Sequence, residues 1–469
     1  MPRHPADPPR ERAVPSRPWL EQALPRLRGV QRASAYGHAG ELLQDDGSQG
    51  PCATGVRAVD LALRLGEGLL VHGATADEAV AAMTVTAEVY GLSYCEPVVT
   101  VAAMSLSGYP PGEVRPVCAS RLVRRQLIDF RRLEEIERVV DRISARELSL
   151  EEARERAARV LDAPEPSDLR ARWRLPLQSA AVAGAACLTY GGGLLAVVCA
   201  ALAGLLGSHW SCWLGRYGVP VFYRTAVAAA PAAVAALAVS RIATPTTCQA
   251  VLVAGVLGLL PSVVFVRAVR DALTGHHLTA LGRFSEAFLG FAAVVAGVLL
   301  VLGAGRAAGL TVPVSVAPPT AHQLGWTAVG AVVFGLAVCV RVRVPYRHLP
   351  VVGLLSLAGF VLLAELRHLG VSTLTATGLV AVAIGAAAQL AVRWTGVGAN
   401  AVIAPGIAPL LPGAALYTAL TALAAGRTTT GMAGLAQAAA VTIALAVGTG
   451  LAAECARLVR RLADQRRGR

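Results

Sequence analysis

From Leu175 to Cys455 the chain carries only four acidic residues, Asp271, Glu286, Glu365 and Glu454, set among long apolar runs. A soluble protein must cover its surface with polar side chains, and a chain that is 55% hydrophobic, with carboxylates this sparse, cannot do so over that stretch. A bilayer is the solvent that fits. Runs of about 20 residues cross a hydrocarbon core as helices. Such runs fall near residues 176–191, 194–210, 218–239, 247–266, 282–303, 323–340, 350–364, 371–391, 398–422 and 431–454. The predicted fold class is a polytopic α-helical membrane protein of about ten transmembrane helices. Before Arg174 charges are frequent, so a soluble segment precedes the membrane part.

The formal charge of +13 does not point to nucleic acid, because the basic residues stand between apolar runs instead of clustering on one soluble face. All of them are arginine, since the chain has no lysine. Their placement sets the orientation. With a cytoplasmic N-terminus, inner loops hold Arg216, then Arg267, Arg270 and Arg283, then Arg341, Arg343 and Arg347, then Arg393, and the tail adds Arg457, Arg460 and Arg461; outer loops hold Arg241, Arg306, Arg367 and Arg427. That asymmetry is the positive-inside pattern of a multi-pass protein of the cytoplasmic membrane with both termini inside. No basic segment followed by a short apolar one opens the chain, so no cleaved signal is expected. The nine cysteines form no C-x-x-C pair and read as small buried hydrophobes, and neither a metal nor an organic cofactor is expected.

Residues 1–50, rich in Pro, Arg and Gly, read as a disordered tail. Residues 51–165 read as a small cytoplasmic α+β domain. A helix ends at Gly73, and a second starts at Thr75, which has capping-box spacing to Glu78. Residues 92–108 read as one strand and 115–122 as its hairpin partner. A charged helix near 127–142 and another capped by Ser149 with Glu152 complete the domain. His72, Asp77 and Ser105 lack any nucleophile elbow or metalloprotease motif, so no enzyme is predicted.

Two segments repeat. LPSVVFVRAVRDALTG (260–275) and LPGAALYTALTALAAG (411–426) both run from Leu-Pro to a closing Gly, and at the same spacing beyond stand Glu286 and Gln437. The repeat divides the membrane part into halves at 175–305 and 320–456, followed by a basic cytoplasmic tail at 457–469. Five helices per half is an odd number, so the halves must lie inverted, as in many secondary transporters.

The helix pair LALRLGEGLLVHGATADEAVAAMTVTAEVYGL, the stretch GLLPSVVFVRAVRDALTGHHLTALGRFSEAF and the stretch PGIAPLLPGAALY together resemble the threonine/serine exporter family, across about residues 56–455. The chain departs from the family pattern at His72-Gly73-Ala74 and at Ser262. The resemblance implies a soluble N-terminal segment joined to five plus five helices, and a secondary transporter exporting threonine, serine or similar small polar amino acids. Related proteins that resemble dicarboxylate exporters keep a succinate-like cargo open, and a membrane-anchored regulatory or ligand-binding protein is the alternative of another class. Coupling to protons fits a neutral zwitterion, which gains nothing from the membrane potential, whereas an inward proton gains about 2.3 kcal/mol per 100 mV.

Candidate substrate or coupling residues follow from local chemistry. Pro261, Pro405, Pro409 and Pro412, with Gly406 and Gly413 beside them, break apolar spans and free carbonyls that can hold a zwitterion; a plain packing kink is the alternative. Glu286 is a proton-carrier candidate if burial raises its pKa, or else the helical ion partner of Arg283. Asp271 has i, i+4 spacing to Arg267 and serves as a gate or a solvated pair. Tyr417 and Gln437 could line a polar path. So could Ser372, Thr373, Thr375 and Thr377, unless their hydroxyls bond back to their own helix.

Overall fold

The computed structural model describes residues 51–123, 128–163, 169–242, 244–312, 324–395 and 399–467. The predicted tail at 1–50 lies outside the described residues.

The soluble domain opens with α1 (Pro51–His72), which stops where Gly73 takes φ +124, a left-handed value that suits a residue without a Cβ. Thr75 then caps α2 (Ala76–Val89) with the predicted capping box to Glu78. The expected single strand at 92–108 is instead a hairpin, β1 (Ser93–Val99) and β2 (Ala103–Tyr109), and β3 (Val117–Leu122) adds to it antiparallel in the order β1-β2-β3. The turn has no Gly or Pro to announce it. Thr100 builds it by side chain, its hydroxyl bonding both the carbonyl and the amide of Ala103. Helices α3 (Phe130–Ser144, capped by Asp129) and α4 (Leu150–Leu161, with the expected Ser149–Glu152 capping box) complete the unit. Its core is small and apolar, with Leu63, Met83, Met104 and Leu106 almost fully buried.

The membrane part comprises α5 (Leu169–Thr189), α6 (Leu194–Arg216), α7 (Val221–Val239), α8 (Pro245–Leu257), α9 (Ser262–Leu273), α10 (His277–Ala307), α11 (Leu324–Arg341), α12 (Leu349–His368), α13 (Thr373–Thr395), α14 (Ala399–Gly406), α15 (Gly413–Ala424) and α16 (Thr428–Arg467). Six helices among the described residues are long and apolar enough to cross a membrane: α6, α7, α10, α12 with its leading turn, α13 and α16. The count of ten rests on four further elements. α5 carries Arg170, Arg172 and Arg174 in its first turns and α11 is short, whereas the spans expected at 247–266 and 398–422 are not continuous helices. Both are broken before a proline, at Gly258–Pro261 and Ile407–Pro412. The expected separate tail at 457–469 instead continues α16 to Arg467.

The two segments correspond bond by bond. Pro261 (φ −79, ψ 40) and Pro412 (φ −78, ψ 56) stand just before α9 and α15 in matching backbone conformations. The Phe265 amide bonds the Pro261 carbonyl as Leu416 bonds Pro412, and both helices end at a positive-φ glycine, Gly275 and Gly426. Next, the His276 amide bonds Asp271 O at 2.9 Å, and the Arg427 amide bonds Ala422 O at 2.9 Å. Packing corresponds as well: α5 meets α6 and α8, and α7 meets α6, α8 and α10, while α11 meets α12 and α14, and α13 meets α12, α14 and α16. Gly297 of α10 lies against the Ala226 backbone of α7, and Gly448 of α16, the same step along the repeat, lies against the Gly378 carbonyl of α13. Small residues let these backbones approach.

Candidate functional site: a cavity between the broken helices

A cavity of about 230 Å³ lies where the two breaks face each other. That is room for several water molecules, and so for a ligand of amino-acid size. Gly258, Leu260 and Pro261 line it from the first half, and Ile403, Ala404, Ile407, Ala408 and Leu411 from the second. Among the described lining residues the cations are Arg267, Arg270 and Arg341, the hydroxyls Thr75 and Thr449, and none is a carboxylate. Gly73, Thr75, Ile128 and Phe130 of the soluble domain close one end.

A buried charge cluster holds that closure. Arg267, 5% exposed, donates to Leu70 O at 3.2 Å and Ala74 O at 2.8 Å, taking up the last carbonyls around the α1–α2 turn. Asp271, fully buried, accepts the Ala76 amide at 3.1 Å and the guanidinium of Arg283, itself 1% exposed. Two arginines facing one carboxylate would be costly to bury alone; the turn's carbonyls supply the remaining acceptors. The expected pairings are thus corrected. Asp271 reaches across to Arg283 on α10 instead of along its own helix to Arg267, because the α1–α2 turn occupies Arg267. Arg283's salt bridge is to Asp271, and Glu286 stays only within electrostatic reach of it.

The second half also grips the soluble domain. The Phe130 amide bonds Val342 O at 3.0 Å, Arg343 pairs with Asp129 at 2.6 Å, and Arg347 pairs with the buried Glu134. Thr279 of α10 donates to Val99 O at 2.9 Å at the β1–β2 turn. Glu137, half-buried on α3, has its carboxyl pushed up to about 8, first by burial and then by Glu78, Asp141 and Glu134.

The other candidates scatter. Pro405 and Gly406 are buried in α14, and Pro409 in the turn after it. Gly413 is where it must be: the Tyr190 side chain crosses against it and donates to Leu411 O at 3.3 Å, satisfying a carbonyl beside the break. Tyr417 is fully buried in the core against α8 and does not line the cavity. Glu286 and Gln437 are both exposed on the outer faces of α10 and α16, and neither lines the cavity. The hydroxyl run caps and staples its own helix, with Thr377 bonded to Thr373 O at 2.7 Å and Ser372 to Thr375 at 2.9 Å. Sequence alone does not mark Tyr190 or Arg341 as a site residue. Each ends an apolar run, and nothing local distinguishes it from any other residue at a helix end.

Apolar helices of spanning length, two proline-broken elements and a cavity between them define a multi-pass helical membrane protein built around an internal site. A family model described as "Putative threonine/serine exporter" matches residues 60–304, and one described as "Threonine/Serine exporter, ThrE" matches residues 327–454. The chain is 29% identical over 402 residues to a probable threonine/serine exporter of Mycobacterium tuberculosis, covering 84% of this chain and 75% of that protein. It is 25% identical over 411 residues to a threonine/serine exporter of Corynebacterium glutamicum, covering 86% and 83%. No solved structure matches. The chain belongs to the threonine/serine exporter family.

Proposed function

We propose that this protein exports threonine, serine or similar small polar amino acids from the cytoplasm, driven by protons, through ten crossings arranged as two inverted five-helix halves. The observation that carries the reading is the cavity at the meeting of two equivalent broken helices, the place where alternating-access transporters hold their cargo. The names of the two relatives support the cargo.

Sidedness is argued from charge. The soluble domain docks on Arg267, Arg283, Arg343 and Arg347, all on the arginine-rich face. On the predicted outer face, Arg306 donates to Ala424 O at 3.2 Å. The positive-inside pattern then puts the domain and both termini in the cytoplasm.

The coupling carboxyl in this proposal is Asp271, not Glu286. Its carboxylate binds Arg283 and the Ala76 amide and keeps the α1–α2 turn over the cavity, so loss of its charge would weaken the hold on Arg283 and let the turn lift. Glu78 and Glu286 are the other acids within electrostatic reach of this arginine pair.

Counterflow of labelled threonine in proteoliposomes tests the function: uptake should exceed equilibration when unlabelled threonine is trapped inside, and its absence refutes the cargo. Impermeant thiol labelling tests the topology, with cysteines at 306 and 427 reacting from outside and one at 343 silent in intact cells.

A further inference from the structure

We propose that Arg341 is the anchor for a carboxylate group in this cavity, and that the site selects its cargo by that carboxylate and not by the ammonium. The inference rests on the transport reading above and deepens it. Of the three lining arginines, Arg267 is committed to Leu70 O and Ala74 O, and Arg270 also has a partner of its own. Arg341 enters from the opposite half, as the last residue of α11. Its backbone neighbours are taken, Val340 O by Gln178 and Val342 O by Phe130, but no carboxylate among the described residues pairs with its guanidinium. A cation kept half-buried without an anion is costly unless a ligand supplies one. A guanidinium fork meets a carboxylate through two parallel hydrogen bonds.

The complementary absence matters equally. Among the described residues the lining includes no Asp or Glu that could hold an ammonium group, only Thr75, Thr449 and backbone. Small carboxylates without an amine should therefore enter, and small amines without a carboxylate should not. This single preference covers both a zwitterionic amino acid and a short dicarboxylate.

The test uses the full chain in proteoliposomes, with labelled threonine in counterflow and three competitors: threoninol (amine, no carboxylate), 2,3-dihydroxybutyrate (carboxylate, no amine) and succinate. Wild type should be inhibited by dihydroxybutyrate and succinate within about tenfold of unlabelled threonine, and by threoninol at least about tenfold more weakly. Arg341→Gln should raise the KM for threonine about tenfold or more with a smaller change in maximal rate, and Arg341→Lys should restore part of it. Calorimetric titration of the detergent-solubilised protein with succinate and with dihydroxybutyrate gives a readout independent of transport, and binding should be lost in Arg341→Gln while its thermal unfolding stays that of wild type. Threoninol competing as well as threonine, or unchanged KM and binding in Arg341→Gln, overturns the inference. If wild type exchanges no threonine yet binds the carboxylates in an Arg341-dependent way, the cargo assignment fails and the anchor stands.

Discussion

Replacing Asp271 by Asn removes one charge and little else, because the amide keeps the shape and can still accept the Ala76 amide. Arg283, 1% exposed, and Arg267, 5% exposed, would then lie near each other with no carboxylate bonded to either, Glu78 and Glu286 acting only from a distance. Breaking a buried ion pair by neutralising one partner costs about 3–5 kcal/mol, and the retained hydrogen bond argues for the lower end. The structure offers a local way to relieve that cost, since lifting the α1–α2 turn lets water reach both guanidiniums. About 3 kcal/mol placed on that equilibrium raises the population of lifted turns roughly 100-fold. Hydrogen exchange in nanodiscs reads it directly: amides of the 70–83 segment should exchange about 100-fold faster in Asp271→Asn, while those of 380–384 in α13 stay at wild-type rates. In proteoliposomes the same variant should retain threonine exchange but lose acceleration by an imposed pH gradient, since the carboxyl proposed to carry the coupling is gone. Exchange at 70–83 within about threefold of wild type would show that Asp271 does not hold the turn. A preserved gradient response would remove Asp271 from coupling.

Glu286→Gln should keep its full response to the pH gradient, because Asp271 and not Glu286 bonds the α1–α2 turn and Arg283; loss of that response would return the coupling role to Glu286. Pro412→Ala and Pro261→Ala restore a backbone donor at each break and should lower exchange and gradient-driven transport together, roughly tenfold to a hundredfold, measured as initial rates. Glu137→Gln tests the acidic cluster of the soluble domain. Its carboxyl titrates near 8 when folded against 4.5 unfolded, so the folded state holds the proton more tightly and wild type loses stability as pH rises through that window; the variant should unfold at a higher temperature than wild type at pH 8 and at the same temperature near pH 4. Gly448→Ala puts a Cβ 2.7 Å from both the Gly378 carbonyl and Ala381 and should destabilise the α13–α16 contact by about 1–3 kcal/mol, read as an earlier thermal midpoint in detergent.

What could be read from sequence was whatever local rules dictate. Both capping boxes, the glycine stop of α1, the leading prolines of α9 and α15 and the repeat register all depend on residues within a few positions of one another. The hairpin at Thr100 was missed because a side-chain hydroxyl did what Gly or Pro usually announces. The span count blurred where a proline splits an apolar run, since hydropathy averages across the break. Pairing was beyond reach for a different reason. Spacing along one helix suggested Arg267 with Asp271 and Arg283 with Glu286, yet α10 packs back on α9 and the α1–α2 turn, distant in sequence, satisfies Arg267. Arg341 and Tyr190 gain their meaning only from elements of the other half.

The repeat also explains why the charges stand where they do. Stepping from the first segment to the second, Arg267 becomes Thr418, Asp271 becomes Ala422 and Arg283 becomes Gly434. The backbone bonds survive this exchange, so the charges are not needed to form the element. They are needed to meet the soluble domain, whose turn and strand loop dock only on the first segment and its helix α10. In the proposed inverted arrangement the equivalent end of α15 faces the opposite side, where no such domain stands. Charges left there would be buried without acceptors, at a cost of several kcal/mol each. Ala422 is instead fully buried, and Gly434 packs against Ala415 and Ala419. One half therefore carries a charged latch for a protein cover and the other an apolar seal at the same structural position. In the transport reading proposed above, that difference lets one access step depend on a protein cover and the other on helix packing alone.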